Sequence, residues 1–143
     1  MNLKTKSTLI VDDSRAMRDM LRIHLSNLGI SQVRMAERIS DALREIKERP
    51  FDIILCDYHL GDGRNGQQFL EELRSRDLIH LSEVFIMVTS EQKYTNVIAV
   101  AEYAPDDYLI KPFVSNALEQ RISAAFEKKD ALRAIFSAMD AKD

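Results

Sequence analysis

Apolar positions along this chain switch repeatedly between the short continuous runs of a strand and the three-and-four spacing of a helix. Thr8-Leu9-Ile10-Val11 is a β-rich run ended by two aspartates. Met17, Leu21, Leu25 and Leu28 then recur at helical spacing, and Gly29 closes that helix. Gln32 to Ala36 predicts a short strand. Ile39, Ala42, Leu43 and Ile46 mark a second helix that stops before Pro50. A third strand is expected over Phe51 to Cys56, apolar apart from Asp52. Tyr58 to Gly66 contains Gly61, Gly63 and Gly66 and predicts a loop. Phe69, Leu70 and Leu73 predict a third helix, Val84 to Val88 a buried strand, and Val97, Ile98 and Ala101 a fourth helix. Tyr108-Leu109-Ile110 predicts a fifth strand, and Leu118, Ile122, Ala125 and Phe126 the inward face of a fifth helix.

Five βα units in unbroken succession imply an α/β fold. Runs that are apolar on both faces suit a parallel sheet covered on each side, and right-handed crossovers leave few topologies. The expected architecture is a doubly wound, flavodoxin-like, five-stranded parallel sheet of strand order 2-1-3-4-5, flanked by five helices. The apolar pattern resets near Lys128-Lys129-Asp130, which divides the chain into residues 1–127 and a helical extension over residues 128–143.

In such a sheet, ligands bind beyond the carboxyl ends of the strands. The first strand ends at Asp12-Asp13, the third at Asp57, the fourth at Thr89-Ser90 and the fifth at Lys111-Pro112, so these residues share one rim. Three carboxylates in one cleft repel each other unless a cation intervenes. Hard oxygen ligands suit Mg²⁺, which keeps several waters and shares its site with phosphate. Lys111 adds a point charge for an anion and Thr89 a hydroxyl donor. Carboxylate, metal, ammonium and hydroxyl together are the parts needed for phosphoryl transfer to an aspartate. Each residue also has a plainer reading: Asp13 or Ser14 as a helix cap, Asp57 as a turn residue, Thr89 as a cap followed by Glu91, Lys111 as a solvated strand end, His59 as an exposed loop histidine, Cys56 as a buried small side chain. Four such accidents at four strand ends of one sheet do not coincide by chance, so the combination carries the argument.

Composition narrows the function classes. The 143 residues suit one compact domain. A net charge of −3 supplies no basic face for phosphate contacts, which argues against a direct nucleic-acid binder. No apolar run approaches the roughly 20 residues of a membrane span. Met1 to Ser7 lacks the apolar core of a signal peptide. The single cysteine, Cys56, forms no intrachain disulfide, and the cytoplasm is the expected location.

With these residues in place, the chain resembles the receiver domains of bacterial response regulators over about residues 7 to 127. The motifs are Leu9-Ile10-Val11-Asp12-Asp13-Ser14, Asp57 closing the third strand, Met87-Val88-Thr89-Ser90-Glu91, and Tyr108-Leu109-Ile110-Lys111-Pro112-Phe113. The resemblance implies that Asp57 accepts a phosphoryl group from a histidine kinase, a phosphotransfer protein or a small phosphodonor. It implies Mg²⁺, with Mn²⁺ as a substitute, bound by Asp13, Asp57 and the backbone carbonyl of His59, with Asp12 acting mainly through water. Lys111 would contact the phosphoryl group, Thr89 would swing to it, and Tyr108 would rotate inward behind Thr89. Pro112 would follow a cis peptide. The output face would be the fourth helix, fifth strand and fifth helix. Such a protein is a phosphoacceptor regulator that catalyses only its own phosphorylation and dephosphorylation, not an enzyme acting on outside substrates. Two departures concern the loop: Leu60-Gly61 replaces the Met-Pro step of many relatives, and the stretch to Gly66 is one residue longer. His59 occupies a position that tunes the lifetime of the phosphoryl group.

Beyond Phe126, the residues Leu132, Ile135, Phe136 and Met139 extend an apolar helical stripe. A stripe without a core of its own packs on something. The expectation is a helical linker to an output domain absent from this chain, or a contact with a second copy in a homodimer. Three rival functions are weighed against the switch. A flavin protein would need a glycine- and hydroxyl-rich phosphate loop where this chain has Asp12-Asp13. An aspartyl phosphatase would need a second acid/base carboxylate beside the nucleophile. An interaction-only receiver would lack part of the residue set.

Overall fold

A computed structural model describes residues 2–61, 63–90 and 103–141 of the chain, apart from the side chains of Ser115 and Ala141. The order is a single 3₁₀ turn (Leu3–Thr5), β1 (Ser7–Val11), α1 (Arg15–Asn27), β2 (Gln32–Ala36), α2 (Ile39–Glu48), β3 (Ile53–Asp57), α3 (Gly66–Ser75), β4 (Val84–Thr89), β5 (Asp107–Ile110) and α4 (Ser115–Ala141). The five strands form one parallel sheet in the order β2-β1-β3-β4-β5, a flavodoxin-like architecture. Four α-helices lie among the described residues. The helix expected over Val97, Ile98 and Ala101 falls outside them, as does Glu91.

Strand alternation divides the core into two layers. Leu9 and Val11 of β1, with Ile54 and Cys56 of β3, pack beneath α2 and α3 against Phe69, Leu70 and Leu73. Ile10, Ile53 and Leu55 face the other way, toward Leu21 and Leu25 of α1 and Leu118, Ile122 and Phe126 of α4. The central β3 and β4 are buried on both faces, which is why they read as unbroken apolar runs. β2 lies at the sheet edge, and most of its residues are exposed.

Helix boundaries have local causes. The Ser14 hydroxyl caps α1 by accepting from the Met17 N–H at 3.2 Å. Past the other end of α1, Gly29 takes a φ of +88°, a left-handed conformation suited to glycine. Asn65 and Gln68 form a reciprocal capping box at the start of α3. The third strand starts two residues later than the apolar run suggests. Phe51 is buried just before it, and Asp52 turns its carboxylate to the Ser7 N–H at 2.9 Å.

One core position is chemically mismatched. Thr8 is fully buried and finds no partner for its hydroxyl among the described residues. Burying an unpaired hydroxyl costs free energy that a methyl group of similar size does not. Thr8→Val should therefore raise the unfolding free energy by about 1 kcal/mol, read as a higher urea midpoint at an unchanged slope. A lowered midpoint would show that the hydroxyl is satisfied.

Candidate functional site

Parallel register brings four strand ends level. Val11 pairs with Cys56, Asp57 with Val88, and Thr89 with Ile110. The residues just past or at these ends are Asp12, Asp13, Asp57, Thr89 and Lys111, and they meet at the carboxyl rim of the sheet.

The two adjacent aspartates differ in setting. Asp12 is buried, with 1 % exposure. Its N–H donates to the Ala36 carbonyl at 3.1 Å, and its Oδ1 accepts from the Ser14 N–H at 2.8 Å. Asp13 is exposed at the mouth. Asp57, the last residue of β3, is half-buried. Carboxylate oxygens of Asp12, Asp13 and Asp57 all lie within 4.8 Å of one another. Lys111 sits between two of them, its Nζ 3.5 Å from Asp12 Oδ2 and 3.6 Å from Asp57 Oδ1.

This crowding shows in the acidities. Burial pushes the Asp12 carboxyl above the usual range, against hydrogen bonding from Ser14 and the charge of Lys111, which pull it down. Burial and then the Asp12 charge push Asp57 up, while Lys111 and a hydrogen bond from the His59 backbone oppose them. One ammonium is set against three carboxylates in a half-dry cleft, an arrangement that could hold a further cation. An all-oxygen donor set fits a hard divalent ion such as Mg²⁺ rather than a thiolate- or imidazole-seeking metal.

The remaining expected residues are placed around this cleft. Thr89 is fully buried at the end of β4, and its carbonyl accepts from the Lys111 N–H at 2.9 Å. Tyr108 lies half-buried on β5, three residues before Lys111; burial and then the neighbouring Tyr58 raise its phenol above the ordinary value. The His59 side chain is exposed and meets the Tyr58 ring edge-on at 5.2 Å. The Lys111–Pro112 peptide is cis.

Three contributors were not singled out from sequence. Arg18, one turn into α1, donates to the Asp12 carbonyl at 2.8 Å. A Cβ on Gly61 would come within 3.3 Å of Asp13 Oδ2, so the loop backbone passes close to that carboxylate. Gly66 packs against the carbonyl of Asp57. Gly61 and Gly66 carried a signal, since three glycines crowd one short loop, but which one presses on the site is a tertiary fact.

Known proteins resemble this chain in sequence and in fold. The response regulator receiver domain family matches residues 8–123. The chemotaxis protein CheY-3 of Vibrio cholerae is 30% identical over 126 residues, covering 87% of this chain and 95% of its own. The chemotaxis protein CheY of Pseudomonas aeruginosa is 31% identical over 121 residues, covering 84% and 95% respectively. Among solved structures, a CheY-like receiver domain protein from Methanospirillum hungatei superposes with a TM-score of 0.75 at 26% identity, covering 88% of this chain and 97% of its own. The acidic cleft at the strand ends thus comes with the sheet order, the motif spacing and the span of a known family, and the chain belongs to the response regulator receiver domains of two-component signalling.

Proposed function

We propose that the protein is a phosphoryl-accepting switch in which Asp57 is the acceptor and Mg²⁺ the cofactor, with Mn²⁺ as a substitute. The observation that carries this reading is Lys111, whose ammonium lies within 3.6 Å of both Asp12 and Asp57 while Asp13 completes the acidic triad. An oxygen of Asp57 forms the new bond to phosphorus as the donor's bond to phosphorus breaks, and the electron pair of that bond stays on the departing histidine nitrogen or on the carboxylate oxygen released from an acyl phosphate. Asp13, Asp57 and the His59 carbonyl, with Asp12 behind them, would hold Mg²⁺, which would supply charge neutralisation for the transferring phosphoryl oxygens. Lys111 counters the same charge from the β5 side. The Thr89 hydroxyl turns toward the phosphoryl group, and Tyr108 moves into the space it leaves, altering the face of β5 and α4; the fourth helix of the expected output face lies outside the described residues. A two-state change of this kind shifts a partner only if the two states offer it different contacts.

The donor is a histidine kinase or a phosphotransfer protein, and the setting is cytoplasmic; no helix among the described residues is long and apolar enough to cross a membrane. Residues 1–127 form the receiver, and residues 128–143 a helical extension toward the output domain or partner. No outside substrate is turned over. Intact mass after treatment with acetyl phosphate and Mg²⁺ should rise by one phosphoryl group, and Asp57→Asn should remove that gain. Equal labelling of the variant would overturn the assignment.

The metal assignment has its own test. Asp13 is the most exposed of the three carboxylates, so Asp13→Ala should leave the protein folded. Mg²⁺ affinity measured by calorimetry should fall on the order of a hundredfold, at or above what residues behind the ligands typically cost. Unchanged affinity would remove Asp13 from the site.

A further inference from the structure

Helix α4 leaves the body of the protein partway along its length. Leu118, Ile122, Ala125 and Phe126 are buried, whereas every residue from 130 to 140 is exposed. The apolar series is interrupted at the exit by Lys129, but its helical phase is kept. Leu118, Ile122, Ala125, Lys129, Leu132, Phe136 and Met139 follow one another at alternating steps of four and three, the 3.5-residue repeat by which one helix keeps a seam against another. Up to Ala125 that seam faces the protein's own core. Lys129 is its last tie to the body: the ammonium donates to the Leu81 carbonyl at 2.6 Å and pairs with Asp106 at 3.1 Å. Past it, Leu132, Phe136 and Met139 continue the seam in the open, with Ile135 beside them.

We propose that this seam is closed by the same segment of a second copy, the two helices running antiparallel. The charges on the flanks select both the occupant and the direction. With Lys129 and Phe136 at the a positions and Leu132 and Met139 at d, one flank carries, among the described residues, Arg133 and Asp140 and the other Lys128 and Ile135. A parallel pair sets unlike flanks together, which opposes Lys128 to Arg133 and Ile135 to Asp140. An antiparallel pair sets each flank against itself in reverse order. Arg133 and Asp140 then face a flank that offers the opposite charge, and Ile135 faces Ile135 of the second copy, adding to the apolar seam.

The shape of the body agrees with that direction. The protruding stretch from residue 130 to 141 is about 18 Å long at 1.5 Å per residue. Antiparallel overlap of two such stretches would leave the two bodies at opposite ends. It also brings the tip of the second helix, around Met139, level with Lys129 of the first. There lies Leu81, 92% exposed, whose carbonyl holds Lys129. Four exposed apolar side chains on the helix and one on the body are covered by one arrangement.

Sedimentation velocity of the full chain, unphosphorylated, tests this. The contact is small, so a monomer–dimer equilibrium is expected between about 10 µM and 1 mM. Phe136→Asp should leave only monomer, with far-UV dichroism confirming a folded body. Arg133→Asp and Asp140→Arg should each weaken association at least tenfold, because one makes the flank wholly acidic and the other wholly basic. Mixing those two variants should restore the dimer, since an acidic flank then meets a basic one. In a parallel pair Arg133→Asp would strengthen association by meeting Lys128, and that result would overturn the proposal. So would a chain that stays monomeric throughout, or a dimer indifferent to all three substitutions.

Discussion

Asp57→Asn should yield a protein that takes up no phosphoryl group from acetyl phosphate yet unfolds at a higher temperature than the parent in metal-free buffer. The two effects have one origin. Asparagine keeps the shape of the side chain and removes both its nucleophilic oxygen and its charge. The fold holds the Asp57 carboxyl above the usual carboxylate range, first through burial and then through the charge of Asp12, with Lys111 and the His59 backbone only partly compensating. A carboxyl raised in the folded state binds its proton more tightly there than in the unfolded chain. Its charge therefore costs nothing below the unfolded-state value. The cost grows as pH rises from that value through the raised folded one and is present in full above it. At neutral pH the parent carries the whole penalty and the variant none. The melting temperature should rise by a few degrees, and the gap should close as pH falls through the ordinary carboxylate range. Mg²⁺ should raise the parent more than the variant, because binding to the folded state alone stabilises in proportion to the logarithm of occupancy. A variant that melts below the parent at pH 7 would show that the pair with Lys111 outweighs the repulsion in the cleft.

That repulsion was foreseeable from the positions of Asp12, Asp13 and Asp57 after successive strands, because a parallel sheet aligns its carboxyl ends. Strand order and most element positions followed from the same rhythm. Other features depended on packing that no window of sequence contains. The apolar run from Phe51 suggested a strand starting there, but Phe51 is buried in an irregular segment, and Ile53 begins the ladder because Asp52 is drawn to Ser7. Asp13 was expected to act directly and Asp12 mainly through water, but it took the fold to show that the turn after Val11 buries Asp12 among backbone donors and leaves Asp13 at the mouth. The apolar stripe past Phe126 was apparent in the spacing. A break near Lys128-Lys129-Asp130 was apparent too, but not the anchoring of Lys129 to both Asp106 and Leu81, which lie in distant parts of the chain. Arg18 gave no signal, because an arginine on an otherwise solvated helix face looks the same whether or not it reaches a carbonyl.

Gly66→Ala should be far more damaging than Gly63→Ala, another glycine-to-alanine change in the loop after β3. A Cβ on Gly66 would lie 2.6 Å from the Asp57 carbonyl oxygen, 2.7 Å from Met87 Sδ and 3.2 Å from Tyr58 Cα. The first and last are backbone atoms of the segment that carries the acceptor and cannot rotate away. The Gly66 N–H also donates to the Tyr58 carbonyl at 2.8 Å, so the start of α3 is held against the end of β3 by the contact that alanine would force apart. Alanine's better helix propensity is worth at most about 1 kcal/mol and does not offset overlap of this kind, which costs about 2–3 kcal/mol in a packed region. Set against a typical stability of roughly 5–15 kcal/mol, the fold survives, but Asp57 is displaced relative to Asp13 and Lys111. A shift near 1 Å at a reacting group can cost on the order of a hundredfold in rate, so phosphorylation by acetyl phosphate should slow far more than stability falls. Gly63 provides the contrast. Its φ of +86° is strained for alanine, but a Cβ there meets nothing within 4 Å. Gly63→Ala should cost about 1 kcal/mol and leave the phosphorylation rate close to that of the parent. Urea unfolding and the rate of mass gain, measured on both variants, separate backbone strain from displacement of the site. If Gly66→Ala matches the parent in both measurements, or if Gly63→Ala slows phosphorylation as much, the close approach of α3 to Asp57 does not position the acceptor.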